Sequence, residues 1–150
     1  MDKLAIKKEI IKICADTLEN SIATVRGTID EILETASEYE GDHDMFDPFK
    51  EEMMKKKDMQ VELLKKYSDE LTLLNKVDKT KINETIGFGS VVITDKQKMF
   101  IAIALGKFQY KNDTYYAIST QVPVFQAMKE KKAGDSFLFN GNKFTIQDVF

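Results

Sequence analysis

The sequence predicts an α+β protein in which an N-terminal antiparallel helical hairpin, a coiled coil, precedes a small antiparallel sheet with one short helix. Two observations support this fold class. Apolar residues follow a helical spacing through roughly the first half of the chain, and β-branched and aromatic residues form short clusters through the second half. The polar segment 77–85 separates the two patterns, so we predict domains at residues 1–77 and 86–150.

The first predicted helix runs from Asp2 to about Glu38. Its apolar residues form two interleaved series, with the alternating steps of four and three that are typical of a coiled coil. The series are Leu4, Ile11, Leu18, Val25 and Ile32, and Ala15, Ile22, Ile29 and Ala36. About 35 residues that rise about 1.5 Å each make a helix on the order of 50 Å long. That length favours an extended arm over a small globular core.

The second predicted helix begins at Pro48 and ends near Lys76. Its seam consists of Met53, Gln60, Leu64, Tyr67, Leu71 and Leu74. Lys50 and Lys57 also fall on seam positions, so we expect looser packing near the start of this helix and tighter packing around residues 60–75 and 1–18. Two helices joined by a short connection run antiparallel.

The connection between these helices is the acidic segment, residues 38–47. It contains no Lys or Arg and five carboxylates: Glu38, Glu40, Asp42, Asp44 and Asp47. Asp47 is explained as an N-cap in front of Pro48. Asp42 and Asp44 have no evident local structural duty. They are therefore the best candidates for functional carboxylates, with Glu40 as a secondary candidate.

The second half alternates strand-like segments with turn signals. Strands are predicted at residues 90–94, 99–105 and 115–119, with turns at 95–96 and 111–113. A short helix is predicted from Pro123 to Lys131. Further strands are predicted at 136–139 and 144–149, joined by a tight hairpin turn at Asn140-Gly141.

The formal net charge of −3 is unevenly distributed. Residues 1–77 hold 12 basic and 18 acidic residues, whereas residues 86–150 hold 8 and 5. Such asymmetry can orient a protein on a charged partner. The basic residues Lys129, Lys131 and Lys132 form either a solvated surface or a contact with an acidic partner. The acidic chain and the small basic patch disfavour recognition of duplex DNA.

The single cysteine, Cys14, lies among apolar residues in a helical pattern, so we predict that it is buried. The sequence contains no disulfide framework and no run of roughly 20 apolar residues. Charged residues also interrupt any signal-peptide core near the N-terminus. We therefore expect a cytoplasmic protein without a membrane partner.

Two stretches of the second half resemble the Gre transcription elongation factors. The first is Gly87-Phe88-Gly89-Ser90 with the following Val91 and Val92, which looks like the glycine-rich start of that family's C-terminal domain. The second, residues 118–135, is similar to the family pattern of Pro, Ala and a Lys-Lys-x-Gly-Asp turn without gaps. Its matching residues are Pro123, Ala127, Lys131, Lys132, Gly134 and Asp135. The motifs cover about residues 86–149, and the acidic-tipped hairpin extends the resemblance to nearly the whole chain in architecture.

The resemblance implies an FKBP-like fold for the C-terminal domain and RNA polymerase as the partner. Gre factors insert their hairpin through the secondary channel, where tip carboxylates help to hold a catalytic Mg²⁺ so that the polymerase cleaves backtracked RNA. By this resemblance, Asp42 and Asp44, and secondarily Glu40, act in the polymerase active site. Lys129, Lys131 and Lys132 would contact the polymerase. The protein itself would be no enzyme, would hold no stably bound metal or cofactor, and would meet nucleic acid only indirectly in the elongation complex.

Several alternatives remain open. Cleavage-stimulating Gre factors carry an Asp and a Glu three apart, followed by Asn-Ala, whereas Asp42 and Asp44 are two apart and no Asn-Ala pair follows. Some Gre homologues with extra acidic residues inhibit the polymerase instead. A coiled-coil interaction or chaperone-like module without metal chemistry is the alternative from another class. A resident metal site of His43 with both aspartates, and a prolyl isomerase, are weaker hypotheses.

Overall fold

The computed structural model describes residues 2–38 and 48–150. The chain forms two compact units, one of Met1–Ala15 with Thr72–Phe150 and the other of Asp16–Leu71. The first unit therefore contains the sheet together with the first turns of the N-terminal helix. Within the described residues, no helix is long and apolar enough to cross a membrane.

The two long helices are confirmed as α1, Lys3–Glu38, and α2, Pro48–Leu74. Helix α1 is capped by Asp2, whose Oδ1 accepts hydrogen bonds from the backbone N–H groups of Leu4 and Ala5 at 3.1 and 3.3 Å. In the second unit, residues 17–28 of α1 line a cleft with residues 60–67 of α2, and residues 28–35 line another with 53–60. Residue numbers rise along one helix as they fall along the other, so the pair is antiparallel.

Most predicted seam residues of α1 are buried, whereas on α2 Leu74 is the buried seam residue and the others are half-buried. Leu18 and Val25 of α1 are buried, and burial becomes less complete toward Ile32, which is 9% exposed. In the first unit the seam residue Ile11 is buried, and Lys7, Ile10 and Cys14 are buried as well, of which only Cys14 was expected to be. The buried face is wider there because these turns belong to the same compact unit as the sheet.

The second half forms a six-stranded sheet with the strand order β3-β4-β2-β1-β6-β5. The strands are β1 Val91–Thr94, β2 Lys98–Ile101, β3 Gly106–Tyr110, β4 Asp113–Ile118, β5 Ser136–Phe139 and β6 Asn142–Val149. Asn140 and Gly141 form the β5–β6 turn with φ of 51° and 78°. This confirms the predicted tight hairpin, since such turns need positive φ.

The predicted α+β fold class is confirmed, with a helical hairpin followed by a small sheet and one short helix. The sheet is not antiparallel throughout, because β2 and β4 pair in parallel. The predicted strand 99–105 was also wrong beyond Ile101. The chain leaves β2 there, forms the unpredicted β3 at the edge, and returns as β4 between β3 and β2. Since β3 and β4 form an antiparallel hairpin, this insertion gives β4 the direction of β2. The sheet is therefore mixed.

The short helix α3, Pro123–Met128, ends before the predicted Lys131. The reason is that Glu130 adopts a left-handed conformation with φ of 66°. Its N–H donates to the Ile86 carbonyl at 2.9 Å, and the Ile86 N–H donates to the Lys131 carbonyl at 2.8 Å. One face of the sheet packs against α3 in a core of Ile86, Val92, Met99, Ile101, Phe125, Met128, Phe137, Phe144, Ile146 and Val149.

Candidate functional site

The candidate carboxylates Glu40, Asp42 and Asp44 lie outside the described residues. The residues that flank them are defined: α1 ends at Glu38, which is exposed, and α2 begins at Pro48. The first helical position suits Pro because its missing N–H would have no partner there. The acidic segment is thus the direct connection between the ends of two long helices. His43 also lies outside the described residues, as does the proposed N-cap Asp47.

Beyond Pro48, α2 carries its own compensating charges. The carboxylates of Glu51 and Glu52 lie 3.9 and 3.8 Å from the ammonium groups of Lys55 and Lys56. All four side chains are well exposed, so these pairs contribute little to stability. Their effect is to balance the charge of this turn locally. The acidic segment itself contains no Lys or Arg that could balance its carboxylates in this way.

The hairpin also exposes large apolar side chains. Met59 is 69% exposed, and several others are more than a third exposed: Leu33, Phe49, Met54 and Val61. Single exposed apolar residues are common on soluble proteins. All five of these residues belong to the second unit, which is the helical hairpin, so the hairpin has several apolar positions that a partner could cover.

The basic residues Lys129, Lys131 and Lys132 follow α3 directly. Lys129 and Lys132 are exposed and Lys131 is half-buried. Their backbone is fixed: the Lys129 N–H donates to the Phe125 carbonyl at 2.8 Å, and the Lys132 N–H donates to the Asp135 carboxylate at 3.0 Å. The Lys-Lys-x-Gly-Asp turn is therefore held through its backbone, which leaves the exposed lysines available to a partner.

Beside these lysines lies an open groove, which we call the basic groove. Its volume is about 530 Å³, and its lining residues are Ala127, Lys131, Ser136, Phe137, Leu138 and Lys143. Leu138 is 69% exposed, because β5 turns Phe137 toward the core and alternation then points Leu138 outward. Sequence analysis did not single out Leu138 or Lys143. The alternation of inward and outward side chains along β5 could have predicted that Leu138 is exposed.

Buried titratable groups lie elsewhere in the first unit. Burial raises the pKa of the Cys14 thiol to about 12, and the side chain is fully buried as predicted. Lys7 is 1% exposed, and its ammonium donates to the Lys81 carbonyl at 2.9 Å. Desolvation lowers the pKa of Lys7, partly opposed by the nearby Asp78. Cys14 is thus a packing residue, and Lys7 ties α1 to the segment that precedes the sheet.

Residues 2–38 and 48–150 contain no group of three or more His, Cys, Asp or Glu side chains that could hold a metal ion. The weaker hypothesis of a resident metal site concerned His43, Asp42 and Asp44, which lie outside these residues. It therefore stays untested.

Neither protein-family models nor curated proteins match the chain. Among solved structures, that of the transcription factor Gfh1 is 19% identical in sequence, with a TM-score of 0.36, and covers 90% of this chain and 92% of the other. The structure of the GreA factor homolog 1 (Gfh1) protein of Thermus thermophilus is 16% identical, with a TM-score of 0.36, and covers 91% and 94%. What the chain does must therefore be inferred from its own residues.

Proposed function

We propose that the protein is a transcription elongation factor that binds RNA polymerase through its secondary channel. Its hairpin presents Asp42 and Asp44, and secondarily Glu40, to the active-site Mg²⁺ and so changes the rate at which backtracked RNA is cleaved. The proposal combines the sequence resemblance to Gre factors with the position of the acidic segment. The observation that carries it is that five carboxylates and no Lys or Arg fall within the ten residues from Glu38, which ends α1, to Asp47, which precedes α2.

The length of the hairpin supports this role. The second unit contains residues 16–38 of α1 and 48–71 of α2, which at about 1.5 Å per residue give rods on the order of 35 Å long. A rod of that length can carry a charged segment into a channel that a globular domain cannot enter. The exposed apolar residues of the hairpin, such as Met59, would contact the channel wall.

The chemistry of the acidic segment suits this position. Mg²⁺ prefers carboxylate and water oxygens and is commonly bound by one or two protein carboxylates. In metal-assisted phosphoryl transfer, a metal ion orients the attacking water and stabilises the leaving oxygen. Asp42 and Asp44 would supply ligands to a metal that the polymerase already holds. The chain would then be a modulator without an active site of its own.

The basic groove is the proposed docking surface of the first unit. It combines Lys131 and Lys143 with the exposed Leu138, and Lys129 and Lys132 extend its positive charge. An acidic surface with one apolar pocket would complement it. Leu138→Glu should therefore weaken polymerase binding, whereas Leu73→Glu serves as a control, because it makes the same change at another exposed leucine of the first unit that lies outside the groove.

The deciding experiment measures RNA cleavage in halted, backtracked elongation complexes. The wild-type protein is compared with Asp42→Ala/Asp44→Ala and with the control Asp30→Ala/Glu34→Ala. The control removes two exposed carboxylates from α1 and so makes the same change in net charge. We expect both double variants to bind the polymerase like the wild type and only the first to lose the effect on cleavage.

The sign of the effect distinguishes the two forms of the proposal. Faster cleavage that disappears in Asp42→Ala/Asp44→Ala identifies a stimulating factor. Slower cleavage or elongation that this variant relieves identifies an inhibitor. If the wild type neither binds the polymerase nor changes cleavage, the proposal is wrong and the hairpin is an interaction module for another partner.

A further inference from the structure

A second concave site lies on the face of the sheet opposite α3, within the first compact unit. It is a cleft of about 440 Å³, which is in the range of small-molecule sites. Lys98 on β2 pairs in register with Tyr115 on β4, and both lie in the cleft. The next residue on β2, Met99, belongs to the core under α3, so strand alternation places the cleft on the other face.

The walls of this cleft are aromatic and fixed. Tyr110 and Tyr115 meet edge to face with ring centroids 5.9 Å apart, and Phe150 completes the aromatic lining. The Tyr110 hydroxyl donates a hydrogen bond to the Glu9 carboxylate on α1, which holds the ring in place. The three aromatic side chains are each less than a tenth exposed as residues. Tyr115 also stacks on Phe108 with ring centroids 5.6 Å apart, so the rings are held in place and only their small exposed part faces a ligand.

Three lysines surround these rings. Their ammonium groups lie 5.8 Å from the Phe150 centroid for Lys3, 5.7 Å from that of Tyr115 for Lys98, and 5.4 Å from that of Tyr110 for Lys111. Two of the lysines are neutralised by carboxylates: Lys3 by Asp148 at 2.9 Å and Lys98 by Asp113 at 2.8 Å.

Lys111 differs from the other two lysines. Within the described residues it has neither a hydrogen bond nor an ion pair, so it provides the uncompensated positive charge of the cleft lining. It also holds a left-handed backbone conformation with φ of 54°, which Asn or Gly would adopt at lower cost. The two-residue turn between β3 and β4 accounts for this conformation, since such turns need positive φ.

We propose that this cleft binds a small planar aromatic molecule that carries one anionic group. The aromatic part of the ligand packs against the small portions of Tyr115 and Phe150 that line the cleft, and the anion accepts hydrogen bonds from the Lys111 ammonium. Asp113 and Asp148 each balance one lysine, so the cleft lining has a single uncompensated positive charge and favours a ligand with one negative charge. The chemical class is that of aromatic carboxylates and similar monoanions. This site is independent of the acidic segment and of polymerase binding.

The test uses amide-detected NMR titration of the full chain with naphthoate, naphthamide and acetate. These probes supply the ring with the charge, the ring alone, and the charge alone. We expect saturable shifts at the amides of Tyr115, Gln147 and their neighbours with naphthoate. Naphthamide should bind about tenfold more weakly, because it lacks the charge-assisted hydrogen bond, and acetate should give no saturable shift.

Two variants decide whether Lys111 is responsible. Lys111→Asn removes the charge with a residue that tolerates positive φ, so the fold should be kept. Lys107→Gln removes one charge from the other face of the same strand, β3. We expect naphthoate affinity to fall about tenfold in the first variant and to stay unchanged in the second.

Three outcomes would overturn the proposal. The first is the absence of saturable shifts at the cleft amides with naphthoate. The second is an equal loss of affinity in both variants, which would indicate diffuse electrostatic attraction. The third is equal binding of naphthamide and naphthoate, which would indicate an apolar cleft without an anion site.

Discussion

Gly89 offers a sharp test of how the sheet begins. It has φ of +89°, and a Cβ atom added at this position would lie 3.2 Å from Cγ1 of Val77. Val77 is 5% exposed, so it has little room to move away. The Gly89 N–H also donates to the Ile101 carbonyl at 2.6 Å, which fixes the backbone in this conformation. We therefore expect Gly89→Ala to be strongly destabilising.

The magnitude has two parts. A left-handed conformation costs a residue with a Cβ about 1–2 kcal/mol. Crowding of Val77 adds roughly 1 kcal/mol, at the low end of the cost of overpacking. The total of about 2–3 kcal/mol is a large fraction of an ordinary free energy of unfolding of about 5–15 kcal/mol. With an m-value of about 2 kcal/mol per molar urea, the midpoint should fall by on the order of 1 M.

The matched control is Gly87→Ala, two residues earlier in the same motif. Gly87 does not have positive φ, and a Cβ there meets nothing within 4 Å. This variant should be neutral or more stable by about 0.4–1 kcal/mol, because Ala reduces the conformational freedom of the unfolded chain. Urea unfolding followed by NMR of the sheet amides measures both variants.

Val77→Ala separates the two parts. In that background Gly89→Ala should cost only the backbone part, about 1–2 kcal/mol. An equal cost in both backgrounds would show that crowding contributes nothing. A Gly89→Ala protein as stable as Gly87→Ala would refute the reasoning altogether.

Three buried titratable groups give further expected outcomes. The hydrogen bond to Glu9 raises the pKa of Tyr110 from 10.0 to about 12, so absorbance titration should show a phenol ionising near 12 that Tyr110→Phe lacks. The stability that this hydrogen bond contributes should be lost as the pH rises from 10 through 12. Cys14, with its raised pKa of about 12, should react with an aromatic disulfide reagent at neutral pH only after denaturation, and rapid native reaction would contradict its burial. Burial lowers the pKa of Lys7 below its ordinary 10.5, so the unfolded chain binds the proton more tightly than the folded chain. The free energy of unfolding of the wild type, measured in urea, should therefore rise relative to that of Lys7→Met as the pH approaches 10.5. The same pH dependence of stability in both proteins would contradict this.

The elements that the sequence predicts well are those with local signals. Heptad spacing predicts α1 and α2 to within a few residues, and Pro48 marks the start of α2. Asn140-Gly141 predicts the β5–β6 hairpin, because few other residue pairs adopt positive φ at both positions. In each case a few neighbouring residues determine the conformation.

The elements that the sequence does not predict depend on distant partners. The segment 99–105 is continuously apolar, so nothing local shows that β2 ends at Ile101 and that β3 lies two strands away. The burial of Lys7 is equally invisible, since a lysine in a helical repeat is ordinarily exposed. It is buried because the carbonyl that receives its hydrogen bond, that of Lys81, lies 74 residues along the chain.

The same distinction applies to the two sites. The acidic segment is visible in the sequence because its residues are contiguous. The cleft on the sheet face opposite α3 is not visible in the sequence. Its ion pairs join Lys3 to Asp148 and Lys98 to Asp113, which are 145 and 15 residues apart along the chain. A site assembled from separate segments can be recognised only when the topology of the sheet is known.

The motif residues that resemble Gre factors have structural duties in this fold. Gly89 has positive φ beside Val77, Pro123 occupies the first position of α3, and Asp135 accepts the hydrogen bond from the Lys132 N–H. A motif whose residues are explained by backbone geometry supports a shared fold more directly than a shared function. The functional hypothesis therefore depends above all on Asp42 and Asp44, for which the sequence indicates no such duty. For this reason the cleavage experiment with these two aspartates is more decisive than any change in the motif.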